Sequence, residues 1–150
     1  EKIEESLLSK TRDFHHKIMG FDKSPSAVEK AIQNVENAKL EDFIYIKHED
    51  FFKTQKGGEE HLHMVFNPPY GERLDIEMES FYSAIGSTLK HKYPGTNAWM
   101  ISSNLEALKH IGLRPSRKIK LFNAKLESRF SKYEMYAGTK KTHKLKTKTD

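Results

Sequence analysis

The sequence predicts an open α/β fold whose sheet is mostly parallel and ends in a C-terminal antiparallel hairpin. Short β-type apolar runs alternate with longer helix-type runs along most of the 150 residues. Strands separated by helices need crossover connections, and these build parallel pairs. The last two β-type runs are separated by only a few residues, which is typical of a hairpin. A chain of this length with 36% hydrophobic residues can build one real core.

The first half of the chain is predicted to hold two helices and two strands. Residues 1–16 are helix-like, and a first strand covers residues 17–21. Ser24 suits a helix N-cap and Pro25 the first helical position, where its missing N–H costs nothing. Apolar residues then recur every three or four positions, which predicts an amphipathic helix to about residue 38. A second strand is predicted over residues 43–46.

The second half continues this alternation and closes with the hairpin. A third strand over residues 62–66 ends at two prolines, which cannot continue ladder pairing. The remaining elements are a helix over about 76–91, a strand over 98–101, a short helix capped by Asn104 and ending near Gly112, and hairpin strands over 117–122 and 128–136.

The composition excludes several classes of protein. Cysteine is absent, so a disulfide scaffold, Cys-ligated zinc, an iron–sulfur centre and a cysteine nucleophile are excluded. The longest apolar runs have four or five residues, too few to span a bilayer, and no membrane partner is expected. No basic, apolar stretch opens the sequence, so no secretory signal is expected. The expected location is the cytoplasm.

Charge is distributed unevenly along the chain. The net charge of +5 combines residues 1–108, with 13 Lys/Arg against 18 Asp/Glu, and residues 109–150, with 13 against 3. A basic end attracts polyanions, but it also keeps a protein in solution, and charge alone leaves both interpretations open. Residues 139–150 are of low complexity and are predicted to be a basic flexible tail after a domain over residues 1–138.

Candidate site residues follow the predicted strands, because ligands of open parallel sheets bind at the carboxyl ends of strands. These residues are Asp22, Asp50 and the run from Asn67 to Tyr70. A carboxylate at a strand end can accept hydrogen bonds from both hydroxyls of a ribose, and Asp22 fits that role. The alternative, that Asp22 only opens the turn before the next helix, remains equally open.

The run Asn67-Pro68-Pro69-Tyr70 is the most specific motif in the chain. An exocyclic amine of a nucleobase is a poor nucleophile because its lone pair is delocalised into the ring. If the Asn67 side-chain oxygen and the Pro68 carbonyl accept its two N–H groups, the nitrogen is held in line for attack. The prolines stiffen the loop, and Tyr70 offers a flat face to an unstacked base. The alternative is an ordinary turn that ends a strand.

Residues 67–74 resemble the catalytic loop of amino-directed S-adenosylmethionine-dependent methyltransferases. The segment Gly71-Glu72-Arg73 is similar to the branch that modifies guanine N2 in RNA, which includes ribosomal RNA methyltransferases with a THUMP domain. Residues 20–28, 49–52, 102–104 and 121–129 resemble further segments of that branch in the same order. The likeness covers about residues 14–137 and implies a Rossmann-like class I methyltransferase fold.

The resemblance also implies roles for individual residues and no metal. Catalytic roles fall on Asn67, Pro68, Pro69 and Tyr70. The cofactor S-adenosylmethionine is assigned to Asp22, Lys23, Asp50, Phe51 and Asn67. RNA contact is assigned to Tyr70, Glu72, Arg73, Lys125 and Arg129, with guanine N2 of 23S ribosomal RNA as the expected target.

The chain departs from the family pattern at its beginning. The first strand and the Gly-rich loop that holds the methionine end of the cofactor have no counterpart here, since Gly57-Gly58 lies in a polar loop elsewhere. The RNA-binding THUMP domain of the family also has no counterpart in this sequence. We therefore expect this chain to be the C-terminal part of a larger methyltransferase, weak in cofactor binding and inactive alone. An open sheet edge would also favour self-association.

Two other functions are carried as alternatives. An adenine-N6 DNA methyltransferase shares the four-residue loop, and a basic nucleic-acid-binding fragment without catalysis shares the basic end. The pairs His15-His16 and His61-x-His63 could suggest a metal, but no matching carboxylate cluster accompanies them. Histidines of the core or surface are the better interpretation.

Overall fold

The computed structural model describes residues 2–71 and 77–138, and the chain divides after Lys53 into two compact units. The first unit contains α1 (Lys2–Leu8), β1 (Ile18–Asp22), α2 (Pro25–Asn37), β2 (Ile44–His48) and a 3₁₀ turn (Phe51–Lys53). The second contains β3 (Leu62–Phe66), α3 (Met78–Lys92), β4 (Thr96–Ser102), a 3₁₀ helix (Ala107–Ile111), β5 (Arg117–Asn123) and β6 (Leu126–Met135).

The first unit is a parallel strand pair with α2 packed against it. The register places Ile18 beside Ile44 and Asp22 beside His48, so both strands end at the same edge. The Ser24 hydroxyl accepts a hydrogen bond from the Ala27 N–H at 3.4 Å, and proline follows it at the helix start. The predicted cap and helix are confirmed.

The second unit is a four-stranded sheet in the order β3-β4-β6-β5. The β3–β4 pair is parallel, whereas β6 runs antiparallel to both β4 and β5. Its core holds side chains that alternate along β4 and β6 and recur every three or four residues along α3; these are Tyr82, Ile85, Leu89, Ala98, Met100, Tyr133 and Met135.

α3 and the 3₁₀ helix approach each other closely at Gly86. A Cβ atom at this position would lie 1.6 Å from the Ile111 carbonyl oxygen. Only glycine leaves room for that carbonyl, which explains a glycine in the middle of a helix, where it is otherwise unfavourable.

Most predicted elements are confirmed to within a few residues, but the opening helix is much shorter than expected. It ends at Leu8 instead of about residue 16. The Ser9 hydroxyl donates to the Ser6 carbonyl at 3.0 Å, and the Thr11 N–H donates to the Leu8 carbonyl at 3.1 Å, so the helix closes in a turn. The residues that follow are polar up to Phe14 and give a helix no apolar face to bury.

Two further differences are smaller. The short helix after Asn104 is a single stretch of 3₁₀ helix, and β4 extends over Thr96–Ser102 instead of 98–101. The strands divide between two sheets, with two parallel and two antiparallel pairings among the described residues. The antiparallel pairings both belong to the C-terminal hairpin strand β6, as the sequence predicts.

Two predictions concern the ends of the fold and the membrane. Residues 139–150, the predicted tail, lie outside the described residues, so the boundary at residue 138 stays a prediction. No helix in the described ranges is both long and apolar enough to cross a membrane.

Candidate functional site

The Asn67–Tyr70 loop leaves the carboxyl end of β3, where the sequence places it. Asn67 is exposed, Pro68 is buried, and Pro69 and Tyr70 are half-buried. The Tyr70 hydroxyl donates a hydrogen bond to the Asn67 side-chain oxygen at 2.6 Å. The loop therefore presents an amide and a phenol side by side, with the amide oxygen already engaged as an acceptor.

Tyr82 of α3 supports this loop from the core. Its hydroxyl donates to the Pro69 carbonyl at 3.3 Å and lies 2.5 Å from the Ser102 Oγ at the end of β4. Tyr82 is fully buried, and this burial raises the pKa of its hydroxyl, an effect larger than the opposing one of the Ser102 hydrogen bond. The hydroxyl therefore stays protonated and remains a donor at neutral pH.

Asn104 fixes the loop from a second direction. Its Nδ2 donates to the Tyr70 carbonyl at 3.0 Å, while its Oδ1 accepts from the Ala107 N–H at 2.9 Å. The Asn104 N–H donates to the Ser102 Oγ at 3.1 Å. One side chain thus caps the 3₁₀ helix and holds the loop backbone.

Sequence reasoning missed this supporting layer in part. The sequence predicts a helix over about 76–91, which contains Tyr82, and a helix cap at Asn104. Both predictions are confirmed, but neither anticipates the bonds to Pro69 and Tyr70. A usable signal existed, because β3 and β4 are parallel neighbours and polar residues after both must share one edge.

In the first unit, three of the predicted cofactor-binding residues lie at the carboxyl edge of the β1–β2 pair. The Asp22 Oδ1 accepts from the Ser24 N–H at 2.7 Å, so Asp22 does open the turn before α2. The Asp50 Oδ1 accepts from the Phe52 N–H at 3.1 Å, and its Oδ2 lies 3.7 Å from the Lys23 Nζ. The structure therefore brings Lys23 and Asp50 together.

The Asp22 carboxylate retains acceptor capacity. It is exposed, and no described residue donates to its Oδ2. The turn role and the ribose role of Asp22 are thus compatible, since they use different oxygen atoms. Phe51, the remaining predicted residue of this group, is half-buried and its ring meets that of Phe52 edge-on at 5.5 Å.

The predicted RNA contacts fall on different parts of the chain. Glu72 and Arg73 lie outside the described residues. Lys125 is exposed in the β5–β6 turn. Arg129 lies on β6, with its Nη2 3.4 Å from the Glu127 Oε1. The structure does not bring Lys125 or Arg129 into hydrogen-bonding contact with the Asn67–Tyr70 loop in the described part of the chain.

His61 and His63, at the beginning of β3, are exposed and make contacts that are common for surface histidines. The His61 Nε2 lies 2.9 Å from the Asn97 Nδ2, and the His61 and His63 rings meet edge-on at 4.8 Å. Within residues 2–71 and 77–138, no group of three or more metal-ligating side chains is found.

Comparison with known proteins shows similarity along most of the chain. The family model described as an RMKL-like methyltransferase domain matches residues 2–132. A ribosomal RNA large subunit methyltransferase K/L from Hahella chejuensis is 33% identical over 143 residues, which is 92% of this chain and 20% of that protein. The chain thus spans about a fifth of the length of the curated relatives it matches.

Solved structures share the fold. SMU.472, provisionally described as a methyltransferase and complexed with SAH, superimposes with a TM-score of 0.78 at 23% identity, covering 91% of this chain and 36% of that one. A protein from Listeria monocytogenes, described as a predicted N6-adenine-specific DNA methylase, gives 0.65 at 28% identity, covering 79% and 30%.

Proposed function

This chain belongs to the family of RMKL-like methyltransferase domains, and on that premise we propose that its parent protein methylates ribosomal RNA, at guanine N2 of 23S RNA. The methyl donor is S-adenosylmethionine. The observation that carries the proposal is the Asn67–Tyr70 loop, which is held at the end of β3 by Tyr82 and Asn104. The names of the relatives, large subunit methyltransferases K/L, support the choice of RNA.

The loop is suited to orient an exocyclic amine. The Asn67 Oδ1 and the Pro68 carbonyl accept its two N–H groups, and Tyr70 stacks on the extruded base. In this structure the Tyr70 hydroxyl donates a hydrogen bond to the Asn67 Oδ1. The incoming amine takes the place of that hydroxyl as the donor to the same oxygen. The bound cofactor supplies an electrophilic methyl group, and the loop contributes alignment of the nitrogen lone pair.

The first unit offers residues that fit the adenosine part of the cofactor. The Asp22 Oδ2 is available to the ribose hydroxyls, while Asp50 and the backbone N–H of Phe51 bind the adenine. The Lys23 Nζ lies 3.7 Å from the Asp50 Oδ2 and adds positive charge beside that carboxylate. The described residues contain no Gly-rich loop after a strand for the methionine end.

The rest of the catalytic domain is supplied by a longer parent. The chain spans about a fifth of its curated relatives. Among the strands that the structure describes, β3 is the edge strand of its sheet and pairs only with β4, and Val65 on it is 70% exposed. An apolar, unpaired edge is a surface that pairs with further chain, or with a second copy when that chain is missing. Ribosomal RNA as substrate and the absence of cysteine suit a cytoplasmic enzyme.

The decisive experiment is Asn67→Ala in the full-length parent. Methyl transfer to deproteinised ribosomal RNA is expected to fall about 100-fold or more, because an acceptor that orients the amine is lost. Asn34→Ala, at an exposed position of α2, is the matched control and should leave the rate unchanged. Transfer of labelled methyl groups measures both, and an undiminished rate in Asn67→Ala would refute the assigned role.

Adenine N6 in DNA is the second candidate substrate. Residues 67–70, considered without the residues that follow them, fit this substrate equally well. The Listeria monocytogenes neighbour, which is described as a predicted N6-adenine-specific DNA methylase, also favours it. Assaying the same parent enzyme on duplex DNA and on ribosomal RNA separates the two. Transfer to DNA and not to RNA would replace our proposal with this one.

A further inference from the structure

A groove of about 320 Å³ lies in the second unit, where residues of the 3₁₀ helix and of the β5–β6 hairpin line it. Its volume is at the lower end of the range for small-ligand pockets. Leu105, Leu113 and Pro115 form an apolar wall, and Lys109, Lys118 and Arg129 supply positive charge. We call this the hairpin groove. None of the Asn67–Tyr70 residues lines it.

Two of its three cations, Lys118 and Arg129, retain donor capacity for a ligand. Lys109 is neutralised by Glu106, whose Oε2 lies 2.7 Å from its Nζ. Lys118 is exposed, and no described residue forms an ion pair with it. Positive charge is therefore concentrated on the hairpin side of the groove.

Arg129 is incompletely satisfied by the protein. Its Nη2 contacts Glu127 only at 3.4 Å, and its buried Nε has no hydrogen-bond partner in the described structure. Glu127 is shared with Lys120, whose Nζ lies closer, at 3.2 Å. A guanidinium with a weak partner retains donor capacity for a further acceptor, and phosphate oxygens suit its geometry.

Lys118 and Arg129 lie on one face of the hairpin. Lys118 is opposite Ser131 in the antiparallel register, and Arg129 is two residues from Ser131 along β6. Diagonal neighbours of this kind are about 7 to 8 Å apart, and their Cβ atoms are somewhat closer, so two long side chains can reach one phosphate.

We infer that the hairpin groove binds one nucleotide of single-stranded RNA, with its phosphate on Lys118 and Arg129 and its base against the wall of Leu105, Leu113 and Pro115. A cationic rim beside an apolar wall matches the two parts of a nucleotide, whereas a simple anion needs no apolar wall. The inference rests on the proposed function, because a substrate RNA continues beyond the methylated base. The inference assigns to the hairpin groove the binding of the RNA strand next to the methylated base.

The test is RNA binding by the full-length parent, with a fluorescent twelve-residue oligouridylate as the probe. Lys118→Gln should weaken binding about three- to tenfold at 0.1 M salt and lower the slope of log affinity against log salt by about 0.7, the value for one phosphate contact on a single strand. Arg129→Lys keeps the charge but loses the forked donor, and should weaken binding by a smaller factor. Lys90→Gln, at an exposed position of α3, is the control.

The outcomes separate this inference from the proposed function. If Lys118→Gln binds the oligonucleotide with the affinity and salt slope of Lys90→Gln, the groove does not hold RNA. If the wild-type parent transfers no methyl group to ribosomal RNA while Lys118→Gln still binds less tightly, the groove stands and the proposed reaction falls. Thermal unfolding of each variant confirms that the fold is intact.

Discussion

At the scale of single residues, Asn104 contributes more than its position suggests. Its amide serves two elements at once, since the oxygen caps the 3₁₀ helix and the nitrogen holds the Tyr70 carbonyl. A side chain with both a donor and an acceptor can do this, whereas Ser or Asp at a cap has no amide N–H to offer. Asn104 is therefore a positioning residue for the loop.

Two substitutions at Asn104 separate its roles. Asn104→Asp keeps an oxygen at the cap but loses the donor to Tyr70, so methyl transfer by the parent should fall about 10- to 100-fold with little loss of stability. Asn104→Ala loses both bonds and should also cost about 1 kcal/mol of unfolding free energy. Urea unfolding and the methyl-transfer rate measure the two effects. A wild-type rate in Asn104→Asp would show that the loop needs no such support.

At the scale of secondary structure elements, the contact of α3 with the 3₁₀ helix matters because both carry loop-supporting residues. Tyr82 lies on α3, and Asn104 caps the 3₁₀ helix. Their separation is set at Gly86, where the Ile111 carbonyl approaches the helix backbone. The loop geometry therefore depends on a packing contact that is away from the loop itself.

Gly86→Ala tests this packing. The added Cβ would overlap a backbone carbonyl, which no rotamer change can relieve, and we expect a loss of about 3 kcal/mol or more. In an exposed helix the same change would stabilise by about 1 kcal/mol. Gly57→Ala is the control, since nothing lies within 4 Å of its added Cβ. Equal urea midpoints for the two variants would contradict the close packing.

At the scale of the whole molecule, the core of the second unit contains two buried tyrosines. Tyr82 is 0% exposed and Tyr133 is 2% exposed. Burial raises the pKa of both hydroxyls, more than their hydrogen bonds to Ser102 and Ser131 lower it. Folding thus favours the protonated phenols, which links global stability to alkaline pH.

The raised pKa values determine the direction in which the unfolding free energy changes with pH. Below the unfolded-state pKa of about 10, the stabilisation is fully present, and it is lost as pH rises through the folded-state pKa. Between these values, the unfolding free energy should fall by about 1.4 kcal/mol per pH unit for each tyrosine. Tyr82→Phe should remove the share of Tyr82 from that slope, while Tyr133 and Tyr136, whose pKa values are also raised, keep theirs. Urea unfolding followed by Trp99 fluorescence measures the slope, and an unchanged slope in Tyr82→Phe would refute the assignment.

The sequence by itself determined most elements, the presence of parallel strand pairs and of the antiparallel C-terminal hairpin, and the place of the Asn67–Tyr70 loop. Local signals suffice there, because Ser24-Pro25 starts a helix, two prolines end β3, and apolar periodicity distinguishes helix from strand. It also determined that Asp22 and Asp50 each lie at the end of a strand, whereas the structure shows that these two strands are parallel neighbours. Their functional roles remain predictions, as does the partial nature of the domain.

Only the tertiary structure decided which groups support the loop and which cations remain available. Asn104 and Tyr70 are 34 residues apart, and Tyr82 meets Ser102 across 20. Such contacts depend on strand order and helix packing, which local periodicity does not specify. The same holds for Lys118 and Arg129, because a cation's availability depends on which carboxylates the fold places beside it. The sequence thus specifies the secondary structure that each segment forms, whereas tertiary packing specifies which segments contact each other.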